Sequence, residues 1–282
     1  MIATRGGAAA GAAPALARLR DRLAREERLI VAFSGGADSA LLAWAAHDVL
    51  GANAVAATAV SASLPARERR AAKAFAARYR IPHVEIATDE LDRAEYRAND
   101  ARRCFHCKTA LFDALAPLAA ALGAPIALGT NLDDLGDYRP GLRAARLRAG
   151  IAPLVDAGLS KADVRAVSAE AGLETSDKPA AACLASRIPY GEPVSAELLA
   201  RIERAEDALH RHGLTVCRVR AHGGGTLARI EVPVEDLDEL LRRRGEIDAE
   251  LRECGFVHVA VDLAGFRSGS LNALLPLGRT RP

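Results

Sequence analysis

The chain has 282 residues, 50% hydrophobic and 26% charged, with 38 Lys and Arg against 36 Asp and Glu. That length and apolar content suit one large or two modest domains with a real core. A net charge of +2 argues against a bulk nucleic-acid or membrane surface, and no apolar run reaches the length of a bilayer span. Residues 1–14 are Gly- and Ala-rich without the compact apolar core of a signal peptide; they read as a disordered tail, which points to a cytoplasmic protein. The pattern predicts an amphipathic helix over 15–27, then an apolar strand, Leu29 to Phe33. Ser34-Gly35-Gly36-Ala37-Asp38-Ser39 follows and runs straight into a helical pattern at Ala40. Strands are predicted over 54–60, 82–87 and 125–129, with helices over 65–79 and 104–121 between them. Strands alternating with helices at this spacing argue an α/β fold with a doubly wound parallel sheet over 15–194. After Gly191-Glu192-Pro193 the pattern changes: a charged helix over 195–212, paired strands over 215–221 and 227–232, helix over 234–252 and a last strand over 256–262. This reads as a smaller α+β domain over 195–282.

Three stretches carry chemistry. A strand, a glycine turn and a helix start make an anion site, because glycines let the backbone approach a phosphate and the first amides of a helix point at it. No Gly-Lys-Ser/Thr follows, so this is not a Walker loop. In doubly wound sheets ligands bind at the carboxyl ends of the strands, and Gly129-Thr130-Asn131 sits at another such end. The second stretch is Arg103-Cys104-Phe105-His106-Cys107-Lys108, where two thiols three apart can reach one soft metal or cluster, or simply pack at a helix start. The third is the loop-like run 176–191, in which Lys178 and Arg187 flank Cys183 and favour its thiolate; a structural cysteine at a domain junction is the other reading. Cys217 and Cys254 lie in ordinary element patterns and read as structural, and His222 as a hairpin-turn residue.

Ser34–Ser39 resembles the PP-loop of ATP pyrophosphatases, which split ATP into AMP and pyrophosphate and adenylate a substrate oxygen. Over nearly the whole chain beyond the tail, the sequence resembles the LarE-type sulfur transferases of nickel-pincer nucleotide biosynthesis. The segments that carry this are Ser34–Ser39, Arg103–Lys108, Gly129–Asp134 with Asp137–Gly141, Lys178–Gly191, Arg218-Val219-Arg220 with Ala228–Glu231, and Gly265–Ser270; the run Cys183–Gly191 singles out the family. The resemblance implies ATP-dependent adenylation of a carboxylate of pyridinium-3,5-biscarboxylic acid mononucleotide, followed by replacement of an oxygen by sulfur. It implies that Ser34, Gly35, Gly36, Asp38 and Ser39 hold the ATP phosphates, with Asp38 near Mg²⁺, and that Gly129, Thr130 and Asn131 line the nucleotide site. The resemblance further implies that Asp134, Asp137 and Arg139 complete or brace that site, with loop salt bridges as the other reading, that Arg187, Arg220 and Arg267 bind substrate phosphate or carboxylates, and that Glu231 joins a metal or substrate site.

Some members of the family use the cysteine matching Cys183 as a sacrificial sulfur donor; others hold a [4Fe-4S] cluster on three cysteines. Cys104, Cys107 and Cys183 are all present here, which favours the cluster version. The resemblance also implies a homo-oligomer, with a hexamer as one form, and no nucleic-acid partner. Two other readings are a PP-loop tRNA thiolase, disfavoured by the lack of a basic binding region, and a non-catalytic ATP-binding regulator, which has no need of Cys183.

Overall fold

Alternate residues of the apolar run at 29–33 belong to different cores, and the first sheet is built around that fact. The computed structural model describes residues 11–267 apart from 137–140, 142, 143, 145, 146, 180 and 181. Strands β1 (Leu29–Ala32), β2 (Ala54–Val60), β3 (His83–Ala87) and β4 (Ile126–Leu128) form a parallel sheet in the order β3-β2-β1-β4. Helices α1 (Ala12–Leu23), α2 (Ala37–Leu50), α3 (Ala66–Arg78), α4 (Arg103–Leu122) and α5 (Lys161–Glu170) connect or flank it. Leu29, Val31 and Phe33 pack with α1, α2, α3 and α5, whereas Ile30 packs with Leu111, Phe112 and Leu115 of α4. A period of two with both faces covered gives a continuous apolar strand, as parallel sheets require. The α/β class read from the sequence is therefore the observed one.

The second sheet is mixed. Strand β5 (Arg218–His222) pairs antiparallel with β6 (Leu227–Glu231), and β6 pairs parallel with β7 (His258–Val261). Val219, Ala221, Ala228 and Ile230 pack with Leu198, Leu199, Ile202 and Leu209 of α6 (Ala196–Arg211). The single helix expected over 234–252 is instead a short turn followed by α7 (Leu237–Arg242) and α8 (Arg244–Glu253). The break falls at Arg243, two residues before Gly245, a poor helix former that weakens continuity. The first helix starts at Ala12, before the position 15 expected, because Pro14 in its opening turn lacks only an N–H that has no helical acceptor there.

The chain divides into two compact units. The first comprises residues 1–60, 66–88 and 108–181; the second comprises 61–65, 89–107 and 182–282. Cys104, Cys107 and Cys183 thus all belong to the second unit, and Ser34–Ser39 to the first. No helix among the described residues is long and apolar enough to cross a membrane.

The strand end that leads into Ser34 is fastened by a buried polar pair. Thr58 donates its hydroxyl to Phe33 O at 2.9 Å and lies 2.8 Å from His83 Nε2. Since that hydroxyl proton is committed to Phe33, the imidazole must donate from Nε2, which it can do while neutral. Burial holds the His83 pKa below its ordinary 6.5, against the neighbouring charge of Glu85. The unfolded chain then binds the proton more readily, so His83 contributes its stability above about pH 6.5 and loses it as pH falls through the lower folded value. Urea titrations at a series of pH values from 7.5 downward should show a steeper acid loss in the wild type than in His83→Gln; parallel curves would refute this.

Candidate functional site

The loop between β1 and α2 is shaped by what its residues lack. Gly35 adopts φ +71°, in the left-handed region, and a Cβ there would meet Ala72 Cβ at 3.2 Å. Gly36 precedes α2 and offers no side-chain cap, so the first amides of the helix keep their donor capacity for a ligand. Ser39 Oγ donates to Gly36 O at 3.1 Å and accepts from Ser34 N at 3.3 Å, which closes the turn. Asp38 sits in the first turn, where the helix dipole favours a carboxylate.

The end of β4 is pressed against this turn. A Cβ on Gly129 would lie 2.8 Å from Ser39 N and 3.0 Å from Asp38 C, so backbone packs directly on backbone. Thr130 and Asn131 follow and are both buried. Asn131 donates from Nδ2 to Asp38 Oδ1 at 3.1 Å, accepts from Asp133 N through Oδ1, and donates its backbone N–H to Asp134 Oδ2. Ser34, Gly35, Gly36, Asp38, Ser39, Gly129, Thr130, Asn131 and Asp134 therefore form one cradle in the first unit. Asp137 and Arg139 lie outside the described residues, as do Ser268, Gly269 and Ser270.

Two lysines reach the same loop, although the loop's own sequence contains none. Lys161 Nζ lies 2.8 and 2.7 Å from the two oxygens of Asp38. Lys178 donates to Gly35 O at 2.9 Å and pairs with Glu68 at 2.7 Å. Lys161 is the residue that sequence reasoning passed over. Its signal was Ser160 with Asp163 three residues on, a helix-start pattern, and the structure forms that capping box. Lys178 was read only as a neighbour of Cys183.

The second unit holds the thiols around Arg103. This guanidinium is buried and donates to Ala185 O at 2.8 Å and to Asn99 Oδ1, while Asn99 donates to Pro189 O and Glu192 O at 2.8 Å each. Burial works to lower the Arg103 pKa, yet nearby Cys183 and Cys104 raise it on balance. Tyr96 is pushed up by burial first, then by the charges of Cys183 and Cys107, while its hydroxyl lies 2.6 Å from Ser63 Oγ. Cys107 and Cys183 both pack against the apolar cluster that contains Tyr96 and Leu184. Among the described residues, no three His, Cys, Asp or Glu side chains form a group that could hold a metal ion.

The expected anion-binding arginines differ in placement. Arg187 is 3% exposed and engages both oxygens of Glu206 at 2.9 Å, with Nη1 donating to Ala182 O and Cys183 O. Arg220 bonds Glu231 Oε2 at 3.0 and 2.7 Å and donates to Ser186 O. Glu231, fully buried, also pairs with Arg229 at 3.0 Å, so both its oxygens already face guanidinium groups. Arg218 has its pKa lowered by burial and by the charge of Arg187. Arg267 is exposed. Cys217 is buried in the core with β5, and Cys254 is half-buried. His222 ends β5 at the Gly223–Gly225 turn.

No family model matches the chain. It is 45% identical over 263 residues to an uncharacterized protein of Synechocystis sp., covering 92% of this chain and 97% of that one. It is 35% identical over 252 residues to the pyridinium-3,5-bisthiocarboxylic acid mononucleotide synthase of Lactiplantibacillus plantarum, covering 88% and 90%. An uncharacterized protein of Methanocaldococcus jannaschii is 27% identical over 245 residues, covering 86% and 92%.

Gly129→Ala should cost about 1–3 kcal/mol, the usual penalty of overpacking, because both colliding partners are backbone. Gly245→Ala, where a Cβ meets nothing within 4 Å, is the control and should not destabilise. Equal urea midpoints for the two variants would contradict this packing. Arg187→Met should cost about 3–5 kcal/mol, since it strands a buried carboxylate. Adding Glu206→Leu should recover part of that loss but not all, because Val219 N then loses its 3.0 Å acceptor. A double variant no more stable than Arg187→Met would show that the pair is not the cause.

Proposed function

This chain belongs to the LarE-type family of pyridinium-3,5-bisthiocarboxylic acid mononucleotide synthases, and we propose that it transfers sulfur to a carboxylate of a pyridinium mononucleotide at the expense of ATP. Its 35% identity to the synthase over 90% of that protein supports the general activity. The observation that carries the ATP half of the reading is the uncapped start of α2, closed by Gly35, Ser39 and Gly129 around Asp38.

In this reading the α2 amides and the hydroxyl of Ser34 bind the triphosphate, and Thr130 and Asn131 line the nucleotide site. Asp38 would hold Mg²⁺, which shields the phosphate charge. The cradle fits that ion: Asp38 is a partly exposed carboxylate, a hard oxygen donor of the kind Mg²⁺ takes, at a helix start whose amides are left for phosphate. A substrate carboxylate oxygen attacks the α-phosphorus, the P–O bond to the β-phosphate breaks, and pyrophosphate leaves with that bond's electron pair. Sulfide sulfur then adds to the acyl carbon, and AMP leaves with the carboxyl oxygen, giving a thiocarboxylate. The proton lost from sulfide passes to solvent.

Cys104, Cys107 and Cys183 would hold a [4Fe-4S] cluster as thiolates. The support is their donor chemistry, with Cys107 and Cys183 packed against one apolar cluster that contains Tyr96. Such a cluster, when bound, leaves one iron without a protein thiolate and able to carry sulfide. Arg187 fixes the backbone on both sides of Cys183 through its carbonyl contacts. Arg267, which is exposed, would meet the anionic substrate, and a homo-oligomer is the assembly we expect.

The test is product analysis under anaerobic conditions. ATP, Mg²⁺, sulfide and pyridinium-3,5-biscarboxylic acid mononucleotide should yield AMP and pyrophosphate, and Asp38→Ala should slow this by about a hundredfold or more. ADP and phosphate as products would overturn the reading. Intact mass should be unchanged after several turnovers; loss of one H₂S equivalent at Cys183, leaving dehydroalanine, would make that cysteine the consumed donor and overturn the cluster assignment.

A further inference from the structure

Asp38 already holds a cation. Lys161 places its ammonium almost equally between the two carboxylate oxygens, at 2.8 and 2.7 Å. Asn131 supplies one further donor at 3.1 Å. An exposed pair of this kind contributes little to stability, and here the side chains keep 36% and 26% of their surface exposed.

The root of Lys161 is fixed without its ammonium. Its backbone N–H donates to Asp133 Oδ2. Ser160 and Asp163 cap the same helix start reciprocally, with Asp163 N donating to Ser160 Oγ at 3.1 Å and Ser160 N to Asp163 Oδ2 at 2.9 Å. Leu132 N bonds Leu159 O at 2.9 Å and ties this helix start to the segment carrying Asn131. A flexible four-carbon stem above a fixed root lets the charge move while the backbone stays. A divalent cation arriving with a triphosphate needs the carboxylate that the ammonium now grips, because such ions are held by one or two carboxylates together with phosphate oxygens.

We propose that Lys161 is an exchangeable counter-ion of Asp38. Without nucleotide its ammonium neutralises the carboxylate and excludes bare divalent cations. When a divalent cation arrives on a nucleoside triphosphate, the carboxylate takes the metal and the ammonium turns to the phosphate oxygens. Metal and nucleotide binding become mutually reinforcing, since each supplies the partner that the other displaces. Lys161 is in this sense a positioning residue that gates the metal, and the inference rests on reading Ser34–Ser39 as an ATP site.

The test is Mn²⁺ binding followed by electron paramagnetic resonance, with and without α,β-methylene-ATP, whose α–β bridge cannot be cleaved. Full-length wild type, Lys161→Gln and Lys161→Arg are compared. Lys161→Gln should bind bare Mn²⁺ about tenfold more tightly than wild type, and the Mn²⁺ complex of the analogue about tenfold more weakly. Those factors are what one charge-assisted contact carries. Lys161→Arg should keep bare Mn²⁺ excluded. Unchanged affinity for bare Mn²⁺ in Lys161→Gln overturns the proposal, as does a lowered melting temperature with both affinities unaltered. A wild type that binds no analogue overturns the ATP-site reading itself. The bare Mn²⁺ comparison needs no nucleotide, so the two failures are told apart.

Discussion

Negative charge crowded at one helix start is the constraint on which the first unit depends. The opening turn of α2 attracts anions through its amides, and Asp38 already sits there. A phosphate bound at the same turn would repel that carboxylate, so the turn needs cations. A Walker loop carries its lysine in its own sequence; here the lysines come from positions 161 and 178, far along the chain. The sheet order makes that delivery possible. With β1 between β2 and β4, the segment after β4 emerges beside the segment after β1, and the helix start at Ser160 is tied to it. Gly129 is the point of closest approach, and the absence of a Cβ there lets the backbones touch.

The second unit solves a different problem, that of keeping arginines buried. Arg103, Arg187 and Arg220 are each at most 5% exposed. Each is held by fork-like or multiple contacts: Arg103 by Asn99 and Ala185 O, Arg187 by Glu206 and carbonyls, Arg220 by Glu231 and Ser186 O. Two of the three therefore bring their own carboxylate with them, as buried charges must. Arg103 is held instead by a carboxamide and a carbonyl, and neighbouring Cys183, Cys104, Tyr190 and Tyr96 raise its pKa against burial. A cation with amide and carbonyl partners still lacks a counter-charge. Those thiols and phenols together offset the burial of Arg103.

Much of this was legible in the residues. The parallel sheet follows from four short apolar runs separated by helical patterns, and β2 was read to its observed ends, Ala54 and Val60. The anion cradle was visible as glycines and serines between a strand and a helix. What local pattern could not show is long-range. Nothing near residue 161 says that its ammonium meets residue 38, because that contact depends on the order of strands. Nothing in the runs 61–65 and 89–107 marks them for the second unit; their membership is set by packing such as Tyr96 against Ser63 and Leu184 N against Ser63 O. The internal pairing of Arg187 and Arg220 was equally hidden, since an arginine reads the same in sequence whether its carboxylate partner is a ligand or a glutamate.

The two kinds of chemistry also differ in how they are held, and the difference follows from what each must bind. A phosphate keeps its charge at neutral pH, so backbone amides, which do not titrate, are sufficient to grip it. Such a cradle says nothing about the nucleophile that attacks the nucleotide. Sulfur chemistry depends on the protonation of a thiol, which burial and helix ends adjust and to which nearby charge contributes. That charge must be set by side chains, and side chains are set by their own partners: Asn99 orients Arg103, and Asn99 is in turn committed to the carbonyls of Pro189 and Glu192. The run from Cys183 to Gly191 thus supplies the thiol and also the carbonyl groups that fix the guanidinium beside it, with Gly191 N returning a bond to Asn99 O at 3.0 Å. The same short run therefore carries a cysteine and the carbonyls that hold Asn99 and the buried guanidinium of Arg103, so its backbone and those side chains are fixed together.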